Sequence, residues 1–185
     1  YCNLKIALFG DSLMSGYGLD EEFHLSTVLE KNLQIKGFDV KIINASVSGD
    51  TTSGGLNRLS WLISQKHIDI VVLCLGANDM LRGIDPNFVR QNLIKIMELL
   101  TEKKITILLA GMISQGSFGD EYKKNFDKIY PELAIKFNVS FLPFLLDGVA
   151  LNPELNLDDG KHPNSKGVKR ISKNLEKILI TLLNN

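Results

Sequence analysis

Leu4-Lys5-Ile6-Ala7-Leu8-Phe9 runs without a break into Gly10-Asp11-Ser12-Leu13. The apolar run has the length of a buried strand, and the serine at its end sits where an open α/β sheet presents its chemistry. Further runs of strand length follow at Val40 to Ile43, Ile68 to Leu75, Ile105 to Leu109 and Val139 to Leu142. The runs from Ile68 and Ile105 are nearly continuous in apolar character, as parallel strands covered on both faces must be. Between the runs lie helical spacings: Leu25, Val28, Leu29 and Leu33; Leu56, Leu59 and Ile63; Val89, Leu93, Ile96, Met97 and Leu100. A last helix reads Val168, Ile171, Leu175, Ile178 and Leu182. Asp85-Pro86 is an N-cap and N1 pair for the third helix, and Pro131 should break or kink a fourth running from about Asp120 to Phe137. Regular alternation of strand and helix implies an α/β fold: a three-layer α/β/α sandwich on a five-stranded parallel sheet with right-handed crossovers.

Composition sets the outer bounds. At 185 residues the chain suits one domain, spanning 1–185, with a core large enough to be stable without staples. The apolar share of 44% and charged share of 23% are those of a globular protein, and no window approaches the roughly 18 uncharged apolar residues of a membrane span. Basic and acidic residues balance to a formal charge of zero with no long basic run, which argues against an extended nucleic-acid footprint and leaves small molecules as the expected partners. Two cysteines, Cys2 and Cys74, make no disulfide framework, and Cys74 reads as a small buried apolar residue. The three histidines lie far apart with no Cys or His at ligand spacing, so no metal and no cofactor are expected. A chain starting at Tyr1 is what removal of a secretory leader would leave, implying a periplasmic or secreted protein; a trimmed cytoplasmic chain would read the same.

Four blocks carry the chemistry, in N-to-C order: Gly10-Asp11-Ser12-Leu13, Gly49 within SVSGDTT, Gly76-Ala77-Asn78-Asp79, and Asp159-Gly160-Lys161-His162. Together they resemble the signature of the SGNH, or GDSL-type, hydrolases. The flanking text (GDSLMSGYGL, NASVSGDTTSGGL, LGANDMLRG, DDGKHPN) is similar to the branch of multifunctional acyl-thioesterase, lysophospholipase and arylesterase enzymes. The resemblance covers nearly the whole chain and implies a flavodoxin-like SGNH hydrolase fold. It also implies a serine hydrolase that cleaves ester and thioester bonds through an acyl-serine intermediate.

The residues support that reading on their own terms. A serine hydroxyl is a poor nucleophile until a base takes its proton, so Ser12 needs a histidine within reach. His67 precedes the run from Ile68, at the edge of the sheet away from the ligand-binding end, and His24 lies early in a helix. His162 sits on the longest aperiodic stretch, Pro143 to Pro163, with Asp159 three residues before it, and long loops in compact domains are often functional. Asp159 is close enough to accept a hydrogen bond from Nδ1 of His162 and set its tautomer; the neighbouring Asp158 is shifted by one residue and points elsewhere. Acyl transfer also needs donors for the developing oxyanion. The resemblance implies the backbone N–H groups of Ser12 and Gly49 and the side chain of Asn78. Asp11 has no acidic cluster of the kind that serves a phosphoaspartate, and reads as a residue that orients the loop. No serine carries Gly-x-Ser-x-Gly, so the α/β-hydrolase elbow is not the parent motif.

Substrate clues are thinner. Met80, Leu81 and Ile84 in a short loop after Asn78, with Met112, Ile113, Phe118, Phe144 and Leu145 further on, could line an acyl groove, and could equally be core. Two alternatives stand beside the esterase: a carbohydrate deacetylase or acyltransferase on the same scaffold, and a non-catalytic binding module using SGDTTSGG to cradle a phosphate.

Overall fold

A computed structural model describes residues 3–65 and 67–185, so Cys2 lies outside the described residues. Strand β1 (Leu4–Gly10) is an inner strand of the sheet, with Ile6 to Phe9 fully buried. It pairs in parallel with β2 (Val40–Asn44) on one side and β3 (Ile70–Cys74) on the other; β4 (Thr106–Ala110) and β5 (Ser140–Leu142) extend the sheet. The order β2-β1-β3-β4-β5 reverses direction at β1, so a crevice opens between the carboxyl ends of β1 and β3. β3 is shorter than its apolar run, because Ile6 to Gly10 pair only with Ile70 to Cys74. Ile68 and Leu75 are buried by packing alone.

The helices are α1 (Ser12–Ser15), α2 (Leu25–Ile35), α3 (Thr52–Gln65), α4 (Ala77–Leu81), α5 (Pro86–Glu102), α6 (Asp120–Asp127), α7 (Ile129–Phe137) and α8 (Ser165–Leu183). α2 packs against α8, while α3 packs against α5 and α5 against α7, completing the layers around the sheet. In α5 all five periodic residues, Val89, Leu93, Ile96, Met97 and Leu100, are fully buried, and the Asp85 carboxylate accepts from the Asn87 N–H at 2.8 Å. α8 buries Val168, Ile171, Leu175 and Leu179; Ile178 and Leu182 are only half-buried. The break expected from Pro131 falls earlier, at Lys128. A proline ring clashes with the carbonyl four residues before it, here that of Asp127, the last residue of α6; Pro131 itself sits in the first turn of α7, where a missing N–H costs nothing.

Candidate active site

The end of β1 leads directly into one wall of the crevice. Asp11 caps α1, its carboxylate accepting from the Leu13 N–H at 3.0 Å, and this turns Ser12 out of the strand. Asp11 is almost fully buried, and burial pushes its pKa from 3.8 up to about 6; the Leu13 N–H opposes the rise, nearby Asp50 and Asp79 add to it, and His162 lowers it.

The loop from Pro143 to Pro163 is tightly packed despite its lack of periodicity. Leu145 and Val149 are fully buried, and the Asn156 amide donates to the Val149 and Asn152 carbonyls, both at 2.7 Å. Asn164 caps α8 through the Lys166 and Gly167 N–H groups and donates back to the carbonyls of Glu154 and Asn156. The N–H of Leu157 donates to the carbonyl of His162 at 2.8 Å. Held this way, His162 places Nε2 2.9 Å from the Ser12 oxygen and Nδ1 2.5 Å from the Asp159 carboxylate. A carboxylate only accepts, so Nδ1 carries the proton and Nε2 presents its lone pair to the hydroxyl. The His162 backbone N–H, the imidazole and the Lys161 backbone N–H, in that order, hold Asp159 well below the usual carboxylate range. Asp158 is exposed and takes no part in this contact.

Asn78 stands in α4, across the crevice, and one of its two amide hydrogens is donated to the Asp50 carbonyl at 2.8 Å. That bond ties it to the loop bearing Gly49, which is exposed and left-handed (φ 81°) with open space where a side chain would stand. Arg58 fastens the same loop, pairing with the Asp50 carboxylate at 2.6 Å and donating to the carbonyls of Ala45 and Gly10. Asp79, also buried, accepts from the Thr52 N–H and hydroxyl at 2.9 and 2.7 Å, while Asn92 donates to that hydroxyl. A carboxylate therefore occupies the start of α3, where a phosphate cradle would need free N–H groups, and the cradle reading of SGDTTSGG falls. Arg58, Asp79, Thr52 and Asn92 escaped the sequence reading, although Asp79 stands inside the quoted Gly76 to Asp79 block and Thr52 closes the quoted SVSGDTT.

A cavity of about 250 Å³ opens beside Ser12. Ser12, Asn78 and His162 line it with Met80, Leu81, Met112, Gln115, Leu146, Ala150, Leu151, Asn156 and Lys161. Gly49 is not on its wall. Among the expected groove residues, Ile84 is packed against the core, Ile113 is surface-exposed off the cavity, and Leu145 is fully buried. Phe118 lines a smaller neighbouring cavity with Met80 and Leu81. Met80 and Leu81 lie on α4 rather than in a loop, because helical bonds from Met80 to Gly76 and from Arg82 to Asn78 close that turn. Leu146 and Leu151 come from the aperiodic stretch, and no periodicity could have singled them out. The other histidines are elsewhere: His67 pairs with Asp69 at 2.9 Å beside an open groove at the opposite edge of the sheet, and His24 donates from Nε2 to the Leu19 carbonyl. Cys74 is buried at the end of β3.

The sequence profile of the GDSL-like lipase/acylhydrolase family matches residues 8–170, which includes all four blocks. The chain belongs to this family. It is a GDSL-type esterase, on the SGNH hydrolase fold. Among its relatives is an arylesterase of Vibrio mimicus, 39% identical over 159 residues, 86% of this chain and 80% of that one. Another is the thioesterase 1/protease 1/lysophospholipase L1 of Escherichia coli K12, 35% identical over 180 residues, 97% of this chain and 85% of that one. The solved structure of the psychrotrophic esterase EstA from Pseudoalteromonas, inhibited by monoethylphosphonate, superposes with a TM-score of 0.93 at 28% identity, covering 99% of this GDSL-type chain and 100% of its own.

Proposed function

We propose that residues 1–185 act as one hydrolase domain in which Ser12 is the nucleophile, His162 the general base and acid, and Asp159 the carboxylate that orients it. The observation that carries this reading is the relay of 2.9 and 2.5 Å from the Ser12 oxygen through His162 to Asp159, at the wall of a largely apolar cavity. Ser12 Oγ attacks the acyl carbon as its proton passes to His162 Nε2. The C–O or C–S bond to the leaving group then breaks while His162 returns that proton to the departing oxygen or sulfur. Water repeats the cycle on the acyl-serine and releases the carboxylic acid. The N–H groups of Ser12 and Gly49 and the second amide hydrogen of Asn78 receive the oxyanion.

The substrates in this reading are small-molecule esters and thioesters with apolar acyl chains, accommodated by Met80, Leu81, Met112, Leu146 and Leu151. The activities carried in the names of the two relatives support the ester and thioester range. A wall that presents Leu13, Met80, Leu81, Met112, Leu146 and Leu151 beside the nucleophile favours acyl chains longer than acetyl over a carbohydrate deacetylase. The test is labelling with a fluorophosphonate probe, mass spectrometry of the modified peptide, and turnover of p-nitrophenyl esters and acyl thioesters. Label on Ser12, and a loss on the order of 10⁴-fold in kcat for Ser12→Ala and His162→Ala with His67→Ala unaffected, are expected. An unlabelled Ser12 with activity intact in Ser12→Ala would overturn the mechanism.

A further inference from the structure

His162 and Asp159 lie near the surface, their side chains 21% and 38% exposed, so water has access to the pair. The face of the imidazole is not left bare. The ring of Tyr17 lies against it, with centroids 4.2 Å apart and planes inclined by 32°. Tyr17 belongs to the turn that follows α1, and that turn is clamped from two sides. At Gly16 an added Cβ would collide with the His24 ring, and at Gly18 one would stand 2.9 Å from Leu157 Cδ1. The turn is closed by the bond from the Leu19 N–H to the Gly16 carbonyl, and His24 pins it again through the Leu19 carbonyl. Leu157, the residue against Gly18, is itself bonded to the His162 carbonyl. The turn and the histidine loop therefore pack as one unit, with the aromatic ring between solvent and imidazole.

We propose that Tyr17 is a positioning residue for His162: its ring holds the imidazole in line with Ser12 and stabilises the imidazolium formed during attack. The inference rests on the assignment of His162 as the base. A cation meeting the face of a phenol ring is favoured over one meeting water or an aliphatic side chain, and the charge on His162 exists only after Ser12 has given up its proton. The contact therefore acts on the rate more than on substrate binding. Among the described residues, the other charged or titratable groups around His162 are Asp159 and Lys161 on its own loop, Asp11 below the nucleophile, and the Ser12 hydroxyl. Asp159 and Ser12 meet the imidazole at its ring nitrogens, leaving its face to Tyr17.

The experiment compares Tyr17→Phe, Tyr17→Leu and Tyr17→Ala with wild type, using p-nitrophenyl acetate and butyrate across pH. Tyr17 is half-exposed, so melting temperatures check that all three variants fold. Phe keeps the π face and should retain wild-type kcat. Leu keeps the bulk without the π face, and should lower kcat roughly 2- to 30-fold with KM unchanged, while the acid limb of kcat/KM moves to lower pH because the imidazolium has lost a stabilising partner. Ala should lose at least as much in kcat. A Leu variant that matches wild type in kcat and in pH profile would overturn the proposal, whether or not Ala is impaired. The His162→Ala variant separates the two assignments: if it too is fully active, the base itself is misassigned, whereas an inactive His162→Ala beside an unaffected Tyr17→Leu sinks only the role of Tyr17.

Discussion

Replacing Asp11 by asparagine should make the protein more stable and less active, in a pH-dependent way that follows from its burial. Burial raises the Asp11 carboxyl from 3.8 to about 6, so the folded state holds this proton more tightly than the unfolded chain does. For a carboxyl raised on folding, the ionised form is the destabilising one: the penalty is nearly absent below pH 4, grows between about pH 4 and 6, and is complete above 6. At about 1.4 kcal/mol per pKa unit, the full penalty is about 3 kcal/mol. The asparagine would keep an oxygen for the Leu13 N–H and carry no charge, so at pH 8 the Asp11→Asn variant should gain on the order of 1 to 3 kcal/mol, less than the full amount because its amide hydrogens are also buried. That corresponds to a rise of roughly 3 to 10 °C in Tm for a chain of this size. At pH 4 the gain should fall below about 1 kcal/mol. Paired urea or thermal unfolding of both proteins at pH 4 and pH 8 measures it. A gain equal at both pH values would mean that packing, not charge, is responsible, and a loss of stability at pH 8 would refute the argument. The ionised carboxylate also interacts favourably with a positive His162, so the variant should lose up to about tenfold in kcat, and the destabilising charge is then retained for function.

Two further outcomes are expected. Asn78→Ala should lower kcat by roughly 10² to 10³ with little change in KM, since the proposed task of its second amide hydrogen is to donate to the oxyanion; steady-state kinetics on one ester decide it, and an unchanged kcat removes Asn78 from the oxyanion hole. Leu151 is 82% exposed at the cavity mouth with a left-handed backbone (φ 62°), a conformation asparagine accepts readily, so Leu151→Asn should fold normally. In wild type, kcat/KM should climb with acyl length by up to roughly fourfold per methylene until the cavity is filled, and Leu151→Asn should flatten that climb while Ile84→Val leaves it unchanged. Equal losses at every chain length would show that Leu151 does not touch the acyl group.

The elements of this protein are written locally. Apolar runs of strand length, the five-residue stripe of α5 and the Asp85-Pro86 cap each depend on neighbours within a turn or a strand, and each appears in the structure within a residue or two of its expected place. Ser12 could be read for the same reason, as the end of a strand is a local event. His162 could be read by elimination, since only one of three histidines lay on a long loop, and folding brings it 2.9 Å from Ser12. What the sequence could not determine is which side chains meet across the crevice. Apolar character reports that a residue prefers to be buried, and gives the same signal for Met80 and Met112 on the cavity wall as for Leu145 in the core. Ile84 and Ile113 share the composition of a groove, yet the end of α4 and the close of β4 turn them away from it. Leu146 and Leu151 reach the cavity only because the loop after β5 is pulled back by Asn156 and Asn164. The cap of α3 by Asp79, and the ring of Tyr17 on His162, join segments that the chain brings together only after the sheet has formed. Local chemistry decided the elements and the place of Ser12 at the end of β1; the shape of the cavity and the support of the histidine arise from contacts between distant segments, which exist only in the tertiary structure.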